Sequence, residues 1–245
     1  MGISTIWIYG EAANGSASSS TLELLTKARE LADTVEVIVH GDAAALATEL
    51  GAHGATSVQS IGDLAGGLAG PQIASAIAGA IAAGTGPDVV LCATTYDGRD
   101  IAGRLSAKLD APVITNVVDL VADGDRLLGV EPVFGGVVNV TTGFTSDSTA
   151  IFLVRPKSFE ASSTGSAAAA VGSLAAGNTG NTGTSLVKDR FVEETSGPKL
   201  DEAAVVVSGG RGLGEAEKYE MIESLAKLLK GAPGASRAVV DSGWV

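Results

Sequence analysis

Short runs of β-branched and aliphatic residues alternate with stretches of helical spacing through the first half of the chain. This alternation restricts it to β-α-β units around a parallel sheet. The strand candidates are Thr5–Tyr9, Val35–His40, Thr56–Ser60 and Asp88–Ala93. Between the first two, Ser20 and Glu23 are spaced as a capping box for a helix with Leu24, Ala28 and Leu31 on one face. Asp42 is placed to cap a second helix carrying Leu46 and Leu50. Pro71 suits the first turn of a third helix ending near Gly84, and Asp97 opens a fourth with Ile101, Leu105 and Leu109 spaced by four. The pattern then changes: Val113–Val121, Leu127–Phe134, Val137–Phe144 and Ala150–Val154 read as consecutive strands, antiparallel in part.

Hydrophobic residues make up 45% of the 245, enough for a sizeable core. Aromatics are only 4% and glycines number 33, so that core is packed from Ala, Val, Ile and Leu. The formal charge of −12 argues against nucleic acid and anionic membranes as partners, because phosphate contacts need clustered Lys and Arg. The lone Cys92 lies in the apolar run VVLCATT and reads as a small buried hydrophobe rather than a reactive thiol. His40 and His53 have no Cys or carboxylate at ligand spacing, so no metal site is expected. No apolar run reaches the ~18 residues of a membrane helix. Met1-Gly2 lacks the Ser or Thr at position 6 that myristoylation requires, since Ile6 stands there. With the chain running almost at once into a strand, the expectation is a bacterial cytoplasmic protein without a leader.

From 159 to 184 the sequence is dominated by Ala, Gly, Ser and Thr. It reads as a flexible linker, a long surface loop, or a short Ala helix within a loop. A last β-α-β unit follows: a strand at Ala203–Val207, a Gly-rich turn, a helix over Glu215–Leu229 and a strand at Arg237–Val240. Tyr219, Ile222, Leu225 and Leu229 are spaced to bury one side of that helix.

The stretch that bears most on chemistry is Val205–Gly214, VVVSGGRGLG. Glycines at a helix N-terminus leave backbone N–H groups open to an anion such as a pyrophosphate, and Arg211 adds a cation. The plainer reading is a glycine turn that packs a strand on a helix. The nicotinamide fingerprint fails, because Glu215 stands where its third glycine belongs. The SGG-x-D-S loop of ATP pyrophosphatases fails at Gly212 and Leu213. Tyr96–Asp100 follows a strand's carboxyl end, and reads as helix capping with an Asp–Arg pair or as a nucleotide contact.

VVVSGGRGLG, a helix of about four turns and then GASRAVVDSGWV at 234–245 resemble the start of the C-terminal domain of the electron transfer flavoprotein alpha subunit. TTYDGRDIAGRLSAKLDAPVITNVVDL at 94–120 is similar to a segment of that family's N-terminal domain, so the resemblance covers essentially the whole chain. It implies an α/β fold: an N-terminal mixed-sheet, nucleotide-binding-like domain over 1–197 and a Rossmann-like flavin-binding domain over 198–245. It also implies FAD as cofactor, contacted by the turn Gly210, Arg211 and Gly212 and by Ser236, with Arg237 beside the flavin ring favouring its reduced anionic form. The family's later Q-x-G-Q-T-G and G-I-S-G segments do not occur before Val245. The flavin domain is therefore expected to be incomplete, with FAD binding weak or absent and an exposed sheet edge at 237–240.

The function implied is that of an electron carrier with no catalytic residue of its own. Its partners would be the beta subunit, dehydrogenases such as acyl-CoA dehydrogenases, and a membrane quinone oxidoreductase. The alternatives are a nucleotide-binding enzyme of the ATP-pyrophosphatase or nicotinamide kind, and a structural subunit that has lost its cofactor.

Overall fold

Alternation along β1 (Thr5–Tyr9) sends Ile6 and Ile8 into one hydrophobic core and Trp7 and Tyr9 into another. The strand is therefore buried on both faces, as the centre of a parallel sheet must be. A two-residue hairpin, β2 (Ala12–Ala13) with β3 (Ser16–Ala17), leads into α1 (Ser19–Ala28). Then follow β4 (Thr34–Val39), α2 (Ala43–Ala52), β5 (Ser57–Ser60), α3 (Ala69–Ala82), β6 (Val89–Ala93) and α4 (Tyr96–Leu109). After them come β7 (Val113–Val117), β8 (Asp119–Asp123), β9 (Arg126–Val133), β10 (Val138–Gly143), β11 (Ala150–Val154) and β12 (Ala170–Ser173). The computed structural model describes residues 3–13, 15–146, 148–189, 197, 198, 200 and 203–245. They divide into two units, Met1–Lys188 and Asp189–Val245.

Seven strands of the first unit form one parallel sheet in the order β12-β5-β4-β1-β6-β11-β7. Leu24, Leu25, Leu46 and Leu50 from α1 and α2 cover one face, together with Leu120 and Leu127 from an antiparallel sheet, β10-β9-β8. Ile73 and Ile77 of α3, with Ile101 and Leu105 of α4, cover the other. Cys92 is fully buried there.

Several expectations are corrected. The cap of α1 is Ser18, whose hydroxyl accepts from the Thr21 N–H at 3.3 Å, so Ser20 and Glu23 form no capping box. Glu23 accepts the Lys157 N–H at 2.7 Å instead. Val113–Val121 is two strands, not one. Asn116 takes a left-handed φ of 59° and the pairing with β11 shifts register there, which redirects the chain from the large sheet into the small one.

The Ala- and Ser-rich stretch is ordered and contains no helix among its residues from 159 to 179. Arg29 donates to the Ser162 carbonyl at 2.6 Å, and the Thr164 N–H donates to the Ala52 carbonyl at 2.7 Å. Ala170–Ser173 then adds an edge strand beside β5. Farther on, Gly177 lies against the backbone of Ser75 in α3, and Lys108 of α4 reaches the Asn178 carbonyl at 3.4 Å. Small residues are what this route requires. A Cβ on Gly51 of α2 would run into the backbone of Ala167–Ala169.

The second unit is a β-α-β motif made of β13 (Val206–Gly209), α5 (Tyr219–Leu228) and β14 (Ala232–Ala235), followed by α6 (Arg237–Asp241). The expected strand at 237–240 is thus a short helix, and the second strand lies one step earlier, at APGA. Gly234 is needed there because a Cβ would stand 2.6 Å from Ser208 Oγ. The expected exposed edge at 237–240 does not exist. Helix α5 buries Tyr219 and Ala226, with Ile222 half-buried between them, whereas Leu225 and Leu229 face outward.

Candidate functional site

Strands β13 and β14 pair in parallel with Val206 opposite Ala232 and Gly209 opposite Ala235, so both leave the sheet at one carboxyl edge. In α/β folds that edge is where ligands sit. The Ser236 N–H donates to the Gly209 carbonyl at 2.9 Å, which ties the two exits together. A Cβ built on Gly210 would lie 3.8 Å from Ser236 Oγ. The structure therefore brings Gly210 and Ser236 side by side, with Arg211 and Gly212 following one and Arg237 the other.

Gly210 opens a single 3-10 turn, Arg211–Leu213, closed by the Leu213 N–H on the Gly210 carbonyl and the Gly214 N–H on the Arg211 carbonyl, both at 3.0 Å. The N–H groups of Arg211 and Gly212 have no main-chain partner among the described residues. Nothing lies within 4 Å of a Cβ placed on Gly212, so the turn is open on that side. Ser236 sits at the N-cap of α6 in extended conformation, yet its hydroxyl caps nothing and stays exposed. The Arg237 side chain is 93% exposed and donates through Nε to Asp241 Oδ2 at 3.3 Å. Two guanidinium groups, one hydroxyl and open backbone N–H groups are a set of donors and positive charge. That chemistry suits a phosphate-bearing dinucleotide.

The pairing of Asp241 with Arg237 is not visible in the sequence reading, which places Asp241 at the end of a strand. Its link to Arg237 is an i,i+4 helical pair, and it becomes visible only once 237–241 is known to be helix rather than strand.

The first unit has a carboxyl edge of different character. Strand order reverses between β1 and β6, and Glu11 and Thr95 meet at that point. The Thr95 hydroxyl donates to the Glu11 carboxylate and accepts the Gly98 N–H at 3.0 Å, capping α4. Burial pushes the Glu11 carboxyl up, and the negative Asp97 adds to the shift. The Tyr9 phenol is raised by burial, then by Asp97, Glu11 and Cys92, and its hydroxyl has no partner among the described residues. Burial likewise pushes the Cys92 thiol up to about 12. The negative charge of Asp97 beside these groups disfavours a phosphate here, in contrast to the donors at the carboxyl edge of the second unit. The Asp–Arg pair in this region joins Asp100 to Arg104 at 2.8 Å within α4, and Tyr96 stands exposed.

Among the described residues no group of three or more His, Cys, Asp or Glu side chains is placed to hold a metal ion. No described helix is long and apolar enough to cross a membrane.

Comparison with known proteins matches two domains along the chain. Residues 6–178 match the electron transfer flavoprotein domain, and residues 199–245 match the electron transfer flavoprotein FAD-binding domain. The electron transfer flavoprotein subunit alpha of Mycobacterium leprae is 35% identical over 237 residues, which is 96% of this chain and 73% of the relative. That of Syntrophomonas wolfei is 31% identical over 242 residues, 98% of this chain and 75% of the relative. That of Paracoccus denitrificans is 34% identical over 243 residues, with the same shares of 98% and 75%. Two matched domains in the family's order, and relatives above 30% identity along nearly the whole chain, place this protein in the electron transfer flavoprotein alpha-subunit family.

Proposed function

We propose that this chain supplies one wall of an FAD site, and that with a beta subunit it carries electrons from dehydrogenases, such as acyl-CoA dehydrogenases, to a membrane quinone reductase. The observation that carries this reading is the convergence of Gly210–Gly212 and Ser236–Arg237 at one carboxyl edge. On this reading residues 198–245 belong to the flavin domain and 1–197 to a supporting domain. The working compartment is the bacterial cytoplasm, and fatty acid oxidation is the process served.

The donors at that edge divide the work. The Arg211 and Gly212 N–H groups and the Arg211 guanidinium hold the pyrophosphate, where glycine lets the ligand approach the backbone. The Ser236 hydroxyl, unused in capping, donates to or accepts from the cofactor. Arg237 holds positive charge beside the ring. FAD, when bound, supplies the ring that accepts and passes on electrons. No bond in a substrate is made or broken, so the residues need only bind, orient and set the charge around it.

Equilibrium binding of FAD, NAD and ATP to the chain purified with its beta subunit tests the proposal. FAD is expected to bind in preference to the others. Binding of NAD or ATP with FAD ignored would instead favour a nucleotide-dependent enzyme.

A further inference from the structure

We propose that Asp241 is a positioning residue for Arg237, fixing the guanidinium that the reading above places beside the flavin and on which this inference rests. Packing does not hold Arg237, whose side chain is 93% exposed. What holds it is the Nε bond to Asp241 Oδ2, one helical turn on, at 3.3 Å. The short helix beneath is itself anchored. Val239 is fully buried, its N–H donates to the Ser236 carbonyl at 2.9 Å, and the Trp244 N–H donates to the Val239 carbonyl at 3.2 Å. Asp241 therefore stands on a fixed frame relative to Ser236 and the β14 exit.

The edge of the guanidinium that is used matters. Of its five N–H donors, the one on Nε goes to Asp241, while the four on the terminal nitrogens have no partner among the described residues. A carboxylate on the Nε edge sets the plane of the group and leaves its forked end for a ligand. An exposed i,i+4 pair contributes little to folding. Substitution at Asp241 should thus leave the fold intact and act on the cofactor through Arg237.

Two roles for Asp241 predict opposite signs. If it acts only as a nearby negative charge, its removal makes the flavin easier to reduce and the potential rises. If it positions Arg237, its removal lets the cation wander and the potential falls, as it does in Arg237→Ala.

The test is a double-mutant cycle in the complex with the beta subunit, using Asp241→Ala, Arg237→Ala and the double variant. FAD dissociation rate and reduction potential are the readouts, with thermal unfolding as the check on folding. Asp241→Ala is expected to release FAD about fivefold faster and to lower the potential. It should have no further effect in the Arg237→Ala background. Asp241→Glu, which keeps the carboxylate, is expected to recover part of the loss, and Asp241→Asn covers the case that the alanine variant folds poorly. A raised potential, or equal effects in both backgrounds, overturns the positioning role. A wild-type complex that takes up no FAD overturns the reading beneath it as well.

Discussion

At the residue scale, the account turns on where positive charge is placed and how far water screens it. A unit charge about 4 Å from the flavin is worth ~4 kcal/mol at an effective dielectric of ~20, and ~1 kcal/mol in bulk water. For one electron those values correspond to roughly 170 and 40 mV. Arg237 is 93% exposed, so Arg237→Ala should lower the potential by an amount toward the smaller figure unless a partner covers the site. Arg237→Lys, which keeps the charge, should lower it less. Spectroelectrochemical titration separates the two variants, and unchanged potentials in both would remove Arg237 from the ring.

Glu11 supports a second residue-scale prediction. Its carboxyl is raised by burial and by Asp97. A raised carboxyl contributes stability in its protonated form, fully below its ordinary value and progressively less as pH climbs through the folded one. Glu11→Gln retains an acceptor for Thr95 without the charge. The variant should therefore gain on the wild type as pH rises above the ordinary carboxylate range, and thermal melts across that rise would show the gap opening. A constant gap would mean that Glu11 titrates normally.

At the scale of elements, small residues decide what can lie against what. Gly51→Val would press into the backbone of Ala167–Ala169 and lift the segment that crosses α2. Overpacking of this kind costs about 1–3 kcal/mol. Urea unfolding should register that loss, and limited proteolysis should show new cleavage between 159 and 184. The same physics explains what the sequence made legible. Strands β1, β4 and β6 are readable within a residue or so because apolar, largely β-branched residues fill them on both faces, and β5, SVQS, is readable from Val58 and its place in the alternation. Strand β14 was not, because APGA carries a proline and a glycine, and its strand character comes from a neighbour, Ser208, that only the fold supplies. Val239 and Val240 are strand-prone in isolation, yet Ser236 turns the chain and Val239 is buried as a helical residue. Of the expected stripe on α5, Tyr219 and Ile222 turn inward while Leu225 and the C-cap Leu229 face outward, because helical spacing gives the period of a stripe and not how far along the helix its cover extends. The five candidate site residues were nameable through family resemblance; their convergence required knowing where β14 ends.

At the scale of the whole molecule, the division of labour follows from the chemistry of two carboxyl edges. One is lined by Glu11 and Asp97 near a buried phenol; the other offers guanidinium groups, a hydroxyl and open N–H groups. On the proposed reading the anionic cofactor sits at the second. The central claim is that the second edge carries FAD. A visible absorption spectrum of the chain, purified from its native host through a mild affinity tag, tests it most directly. Against the expectation of weak or absent binding, the donors assembled at this edge predict a flavin band travelling with a second subunit of similar size, and its loss on replacing Arg211 and Ser236 with alanine. A colourless sample, or a band indifferent to those two replacements, would contradict it.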